Sequence, residues 1–203
     1  MDRNDNNYVT AILTAAGFSS RMNGYKPLLK WRNTTLIEYQ IKTLFEGGVH
    51  EVIVVVGHNY ELITPYIEKT NASFVLNNRF QDGRATSIVE GVNRVSPETT
   101  SIMILGVDQP RNRVIVDRLI QHHSSLDYLI TYPSYNGKGG HPIIFASALR
   151  NELATILDES SGIRVVTEKY KAKTNKVEMH EPLVGLDLNT TDEYSKAFSK
   201  WGS

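Results

Sequence analysis

Short, densely apolar runs alternate along the chain with stretches whose apolar residues recur every three or four positions. Residues 8–15 (YVTAILTA) are apolar and β-branched and stop at Gly17, which predicts a buried strand followed by a loop. Thr35-Leu36-Ile37-Glu38 has the form of a capping box. Leu36, Tyr39, Ile41 and Leu44 follow at roughly helical spacing, and Gly47-Gly48 closes the helix. Residues 51–56 (EVIVVV) are continuously apolar after the first, as in a strand covered on both faces. A helix over 60–69, a strand over 73–76, a helix over 85–94 and a strand over 101–105 continue the alternation. That cadence belongs to βαβ units, so the expected architecture is α/β, a mostly parallel sheet between two layers of helices.

The second half is less regular. It predicts a helix over 113–122, a strand over 128–131 and a Gly-rich loop over 136–140 that leads to His141-Pro142 and an apolar stretch at 143–145. Helices near 147–157 and 162–170, strands near 176–179 and 183–188, and a closing helix over 191–200 complete the reading. With no internal repeat, low-complexity segment or linker, residues 1–203 are expected to form one domain, with the polar residues 1–7 disordered ahead of it.

Composition removes several classes of function. The chain carries 22 Lys plus Arg against 22 Asp plus Glu, so no broad basic surface for nucleic acid is expected. Cysteine is absent, which excludes disulfide scaffolds, iron–sulfur clusters, Cys-ligated zinc and thiol catalysis. The most compact apolar run is the five residues 52–56, far short of the roughly 20 needed to span a bilayer. The N-terminus lacks the apolar core of a signal peptide. The expectation is a cytoplasmic protein without a membrane partner.

In open α/β sheets, ligands bind beyond the carboxyl ends of the strands, where the strand order reverses. With the common order 3-2-1-4, the first and fourth strands flank that crevice. The turn after the first reads Ala15-Ala16-Gly17-Phe18-Ser19-Ser20-Arg21-Met22-Asn23-Gly24-Tyr25-Lys26, and the turn after the fourth Gly106-Val107-Asp108-Gln109-Pro110. One offers backbone amides and two cations, the other a carboxylate at a strand end. Together they suit a triphosphate and its Mg²⁺. Taken singly, each piece has a plainer reading: a tight turn of small residues, two solvated cations, a turn-forming Asp. Their joint placement favours the site. The turn is neither G-x-x-x-x-G-K-[ST] nor G-x-G-x-x-G, so neither a Walker-type NTPase nor a dinucleotide-binding enzyme is signalled.

These segments resemble the molybdopterin nucleotidyltransferase family, the MobA/MocA-like NTP transferases. Thr14 to Met22 followed by Lys26-Pro27-Leu28-Leu29 is similar to the family's signature loop, and Asp108-Gln109-Pro110 to its metal-binding D-x-P element. Asn136-Gly137-Lys138-Gly139-Gly140-His141-Pro142 resembles its G-x-x-G-H-P loop, and Leu186 to Tyr194 its closing D-x-D-T-P-E-D segment. The chain departs in placing Asn23 before Gly24, in having Asn189 for the second Asp of the last motif, and in having Thr191 for its Pro.

The resemblance implies a Rossmann-like three-layer fold of the nucleotide-diphospho-sugar transferase type. It also implies attack by an acceptor phosphate on the α-phosphorus of an NTP, with pyrophosphate leaving and Mg²⁺ as cofactor. Arg21, Lys26 and Asp108 would be catalytic. The backbone of Ala15, Ala16, Gly17 and Ser19 would cradle the nucleotide, with Asn77, Gly83 and Ser87 near base and ribose. Lys138, Gly140 and His141 would face the acceptor, and Arg164 would contact its phosphate. Asp108 and Asp187 would hold the metal, the choice between Asp187 and Asn189 staying open. The turn T-A-A-G resembles the cytidylyl branch: a methyl at Ala16 would narrow the base slot and favour CTP over GTP, with molybdopterin as acceptor and a transient contact with a molybdoenzyme. Two alternatives stand beside this: a related nucleotidyltransferase using another NTP or a sugar-phosphate or phosphoalcohol acceptor, and a cofactor-carrying partner or chaperone. Reductases occur among similar sequences, but the missing G-x-G-x-x-G turn counts against one here. His122-His123 reads as surface.

Overall fold

The computed structural model describes residues 7–18, 22, 24–125, 127–160 and 162–203, the side chain of Ser160 excepted. The expectations for residues 1–6, for Ser19 and for Arg21 lie outside these. Along the chain run β1 (Val9–Ala15), β2 (Lys30–Trp31), β3 (Thr34–Thr35), α1 (Leu36–Glu46), β4 (Glu51–Val56), α2 (Thr64–Ile67), β5 (Ser73–Leu76), α3 (Arg84–Arg94) and β6 (Ser101–Gly106). The second half adds α4 (Arg113–Ser124), β7 (Ile130–Tyr135), β8 (Lys138–Gly139), β9 (Ile143–Ala146), α5 (Arg150–Leu153), α6 (Ile163–Lys169), β10 (Thr174–Glu178) and α7 (Thr191–Ala197).

Parallel pairing joins β5 to β4, β4 to β1 and β1 to β6, the expected 3-2-1-4 order. Beyond β6 the sheet continues through β9, antiparallel to both β6 and β7, and ends with β10 parallel to β7. The order therefore reverses between β1 and β6. Successive residues of the central strands feed opposite faces, as the strand period of two requires. Val52, Val54 and Val56 pack with Leu13, Met103, Leu36, Ile41, Ile115 and Leu119 on the face carrying α1 and α4. Ile53 and Val55 pack with Ile12, Ile102, Val92 and Leu153 on the face carrying α3 and α5. This is a three-layer α/β/α fold, and among the described residues no helix is long and apolar enough to cross a membrane.

The differences from the expected elements have local causes. The helix over 60–69 is broken: Asn59 sits at φ 51°, Tyr60–Leu62 form a 3-10 turn, and Pro65, lacking an N–H, restarts the chain in the first turn of α2. Residues 136–140 are not a loop but a hairpin. Asn136 and Gly137 take φ 50° and 76°, and β8 folds back antiparallel on β7. The strand expected over 183–188 is a 3-10 turn at Pro182–Gly185 followed by extended chain. Its Leu183, Val184 and Leu188 are buried, so the run is apolar for packing and not for pairing. The helix near 147–157 shortens to a 3-10 turn, Ser147–Leu149, and α5.

Candidate active site

Both turns expected to carry chemistry emerge side by side, since Thr14 pairs with Gly106 and Val107 N–H donates to Thr14 O at 2.9 Å. Lys26 opens a 3-10 turn in which Pro27 supplies the fixed φ. Its Nζ lies 3.1 Å from Asp108 Oδ2, and both side chains are about seven-eighths buried, at 13% and 14% exposure. Arg84, exposed at the start of α3, adds a second cation 3.8 Å from the same oxygen. The carboxylate folds back over Gly106, where a Cβ would fall 2.4 Å from Asp108 Oδ1, so a side chain there would have to displace the carboxylate.

Gln109 is the hub behind it. Its Oε1 accepts from Gly106 N–H (2.9 Å), while Nε2 reaches Asp187 Oδ1 at 2.9 Å and His141 Nδ1 at 3.0 Å. Gln40 of α1 donates from Nε2 to Gln109 O at 2.7 Å and accepts from Arg111 N–H at 3.2 Å. Arg111, 1% exposed, donates from Nε to His141 O (2.7 Å) and from Nη1 to Leu186 O (2.8 Å) and Pro110 O (3.1 Å). Among the described residues its Nη2 has no hydrogen-bond partner. Burial pulls this guanidinium down to about 10, although Asp187 and Asp108 pull the other way. Leu188 N–H donates to Asp108 O at 2.8 Å, which seats the closing segment beside the Asp108 turn. Desolvation first, then the positive charge of Arg111, pushes His141 down to about 4. Gly140 lies so close to Val184 that a Cβ would sit 2.1 Å from its carbonyl oxygen, so only glycine lets the His141 loop close on that turn.

Of the residues expected in the site, the structure gathers Lys26, Asp108, His141 and Asp187 around Gln109. Between the two open choices, Asp187 meets the cluster, whereas Asn189 lends its backbone N–H to Glu193 at the start of α7. Ala15 and Ala16 are buried and can meet a ligand only through the backbone, while Gly17 is open. The Ala16 methyl does not border open space. Gly57 lies against it, a Cβ there falling 2.8 Å from Ala16 Cβ, so this Ala fills the gap between two strand ends and gives the expected base filter no geometric support. Asn77 is fully buried; its Nδ2 donates to Thr86 Oγ1 and Ser87 Oγ at 2.9 and 3.0 Å, and its Oδ1 accepts from Arg79 N–H. It holds the turn into α3 in place of offering a side chain to a ligand. Gly83 abuts Asp158, whose Oδ2 caps α3 by accepting from Ala85 N–H at 2.7 Å. Lys138 and Arg164 are exposed on β8 and α6, and among the described residues no hydrogen bond or ion pair draws them into the cluster. His123, expected at the surface, is 7% exposed with Nδ1 2.9 Å from Thr131 Oγ1, because α4 turns it onto β7.

Gln40, Gln109 and Arg111 were not singled out by residue type. Gln40 had a signal: it shares the stripe of Leu36, Ile37, Ile41 and Leu44, a polar side chain at a core position. Arg111 had none, since an Arg after Pro reads as a solvated charge.

A three-layer α/β/α sheet with a Lys–Asp pair at its switch point defines a nucleotide-handling domain. Residues 11–174 match the MobA-like NTP transferase domain, and the chain belongs to that family of nucleotidyltransferases. It is 28% identical over 192 residues to nicotine blue oxidoreductase of Paenarthrobacter nicotinovorans, covering 91% of this chain and 94% of that one. It is 24% identical over 193 residues to molybdenum cofactor cytidylyltransferase of Escherichia coli, covering 95% and 97%. Among solved structures, Rv0371c of Mycobacterium tuberculosis H37Rv superposes with a TM-score of 0.83 at 23% identity, over 95% of this chain and 98% of that one. A second structure of that protein, a complex with manganese, superposes at 0.77 with 23% identity over the same shares.

Proposed function

We propose that the chain transfers CMP from CTP to the phosphate of molybdopterin and releases pyrophosphate, with Mg²⁺ as cofactor. The observation that carries this reading is the Lys26–Asp108 pair at the β1/β6 switch point, in a chain that aligns with a molybdenum cofactor cytidylyltransferase over nearly its whole length. The choice of CTP rests on that similarity.

The donor set fits a hard divalent cation. The Leu188–Asp108 backbone bond and the Gln109 amide join the segments that carry Asp108 and Asp187, and two such carboxylates with phosphate oxygens and water would suit Mg²⁺. Bound there, the ion would neutralise charge on the phosphates of both substrates. Lys26, with Arg21 on the same loop, would neutralise the α-phosphate and the departing pyrophosphate. Arg can grip two phosphate oxygens where Lys supplies a point charge, so the two are not exchangeable. The amides of residues 15–17 and 19 would line the triphosphate, with Gly83 and Ser87 toward base and ribose. Gly140 and His141, with Lys138 and Arg164 reaching from β8 and α6, would receive the acceptor. Transfer here is positioning and charge balance and requires no covalent enzyme intermediate. The product would pass to an apo-molybdoenzyme through a transient contact in the cytoplasm.

A second reading, oxidoreductase chemistry, is favoured by the 28% identity to nicotine blue oxidoreductase. A different NTP, a sugar-phosphate or phosphoalcohol acceptor, or a carrier role are the other outcomes. The test pairs each NTP with Mg²⁺ and with molybdopterin or a sugar phosphate and reads pyrophosphate, while a parallel assay follows oxidation of reduced nicotinamide cofactor. CTP- and molybdopterin-dependent pyrophosphate release supports the proposal. Cofactor oxidation without pyrophosphate release refutes it.

A further inference from the structure

The Gln109 amide can be oriented in only one way. Gly106 N–H is a donor and nothing else, so the Gln109 atom 2.9 Å from it is the carbonyl oxygen. The amide nitrogen therefore faces both Asp187 Oδ1 at 2.9 Å and His141 Nδ1 at 3.0 Å. It has two hydrogens, and each of those positions must accept one. A carboxylate does so by nature. The imidazole does so only if Nδ1 keeps its lone pair, which leaves the ring's single hydrogen on Nε2. The backbone is pinned as well, since Arg111 Nε–H donates to His141 O at 2.7 Å. Among the described residues no hydrogen bond engages Nε2, and His141 is half-buried.

We propose that Gln109 locks His141 in the Nε2–H tautomer, so that His141 acts as a fixed hydrogen-bond donor to the phosphate oxygens of the acceptor and never as a proton acceptor. This rests on the acceptor-side placement of His141 given above. Gln109 is then a positioning residue, holding Asp187 and His141 through one amide. Phosphate oxygens accept hydrogen bonds and offer none, so a ring nitrogen that always carries hydrogen suits them and would serve poorly as a base. Burial and the Arg111 guanidinium keep the ring uncharged down to acid pH, consistent with a donor that does not change state.

The tautomer is read from the long-range ¹⁵N spectrum of the ligand-free protein near neutral pH, with His141 identified by its loss in His141→Gln. An unprotonated Nδ1 and a protonated Nε2 are expected; the other tautomer, or an imidazolium, overturns the proposal. The role is read from two variants. His141→Gln places an N–H near the former Nε2, whereas His141→Asn offers an oxygen to Gln109 but no donor at Nε2. The acceptor kcat/KM should fall less than about tenfold in the first and about a hundredfold in the second, with the KM for the nucleotide within about twofold in both. Equal losses in the two variants would overturn the donor role. A wild-type protein that transfers to no phosphorylated acceptor would refute the function and the donor role together, while the spectrum decides the tautomer on its own.

Discussion

Replacing Arg111 with Met separates what this buried charge does for the fold from what it does for the site. Met matches its stem only as far as Nε and supplies no donors. The change strips hydrogen bonds from three carbonyls, those of Pro110, His141 and Leu186. At the lower end of the range for charge-assisted bonds, about 1.5 kcal/mol each, that costs roughly 4–5 kcal/mol. Against this, burial has already drawn the guanidinium well below its ordinary value, to about 10, and removing the charge returns roughly 3 kcal/mol. The difference is a destabilisation of about 1–2 kcal/mol, which leaves the protein folded at assay temperature. Activity should suffer far more, because those carbonyls belong to the Asp108 turn, the His141 loop and the Asp187 segment. A misplacement of about 1 Å among reacting groups costs on the order of a hundredfold. Urea unfolding gives the stability change, and pyrophosphate release with the acceptor varied gives kcat/KM. Arg111→Lys should not rescue, since one ammonium cannot span three separated carbonyls as a guanidinium does. A folded Met variant that retains transfer within about threefold of wild type would refute the clasp.

Asp108→Asn should leave the fold intact and lower turnover by roughly 100- to 1000-fold at saturating Mg²⁺, the usual effect of losing one electrostatic stabiliser; near-normal steady-state rates would remove Asp108 from the metal site. Lys26→Ala should raise the KM for the nucleotide much more than that for the acceptor, checked by varying each in turn; the reverse pattern would mean the two substrates are on exchanged sides. His123 titrates near 6.5 when unfolded and is pushed down to about 4 by burial, so below pH 6.5 the unfolded state takes up the proton first. Its contribution to stability is complete above that pH and is lost as the pH falls toward 4. At pH 4.5 that loss is roughly 2–3 kcal/mol, and His141 adds to it in the same direction. Urea unfolding at pH 7.5 and 4.5 should show a smaller loss for His123→Gln than for wild type, and equal losses would contradict the assignment.

The first half of the fold was legible because strand and helix periods differ and each run there is long enough to show its own. The order β5-β4-β1-β6 is the common 3-2-1-4 order of such sheets, Asp108 and Lys26 were legible on the turns after the fourth and first strands, and His141 and Asp187 were singled out through the family resemblance. What escaped is long-range. Leu183, Val184 and Leu188 spell a strand but are buried by a turn, and only the neighbouring Gly140 loop tells the difference. His123 looks like surface until α4 is laid on β7. The Ala16 methyl reads as a wall of a base slot until Gly57 is seen against it. Gln109 and Arg111 matter through partners 30 to 78 residues away, His141, Leu186 and Asp187, a relation no local pattern encodes.

The measurement that bears most directly on the central claim offers CTP and GTP at equal concentration, with Mg²⁺ and molybdopterin, to the unmodified protein. Mass spectrometry then identifies the product. Formation of the cytosine dinucleotide, with one pyrophosphate released per product and loss of both in Asp108→Asn, is the expected result. A guanine dinucleotide formed equally well or better would contradict the cytidylyl assignment, and the absence of any dinucleotide would contradict transfer to molybdopterin altogether.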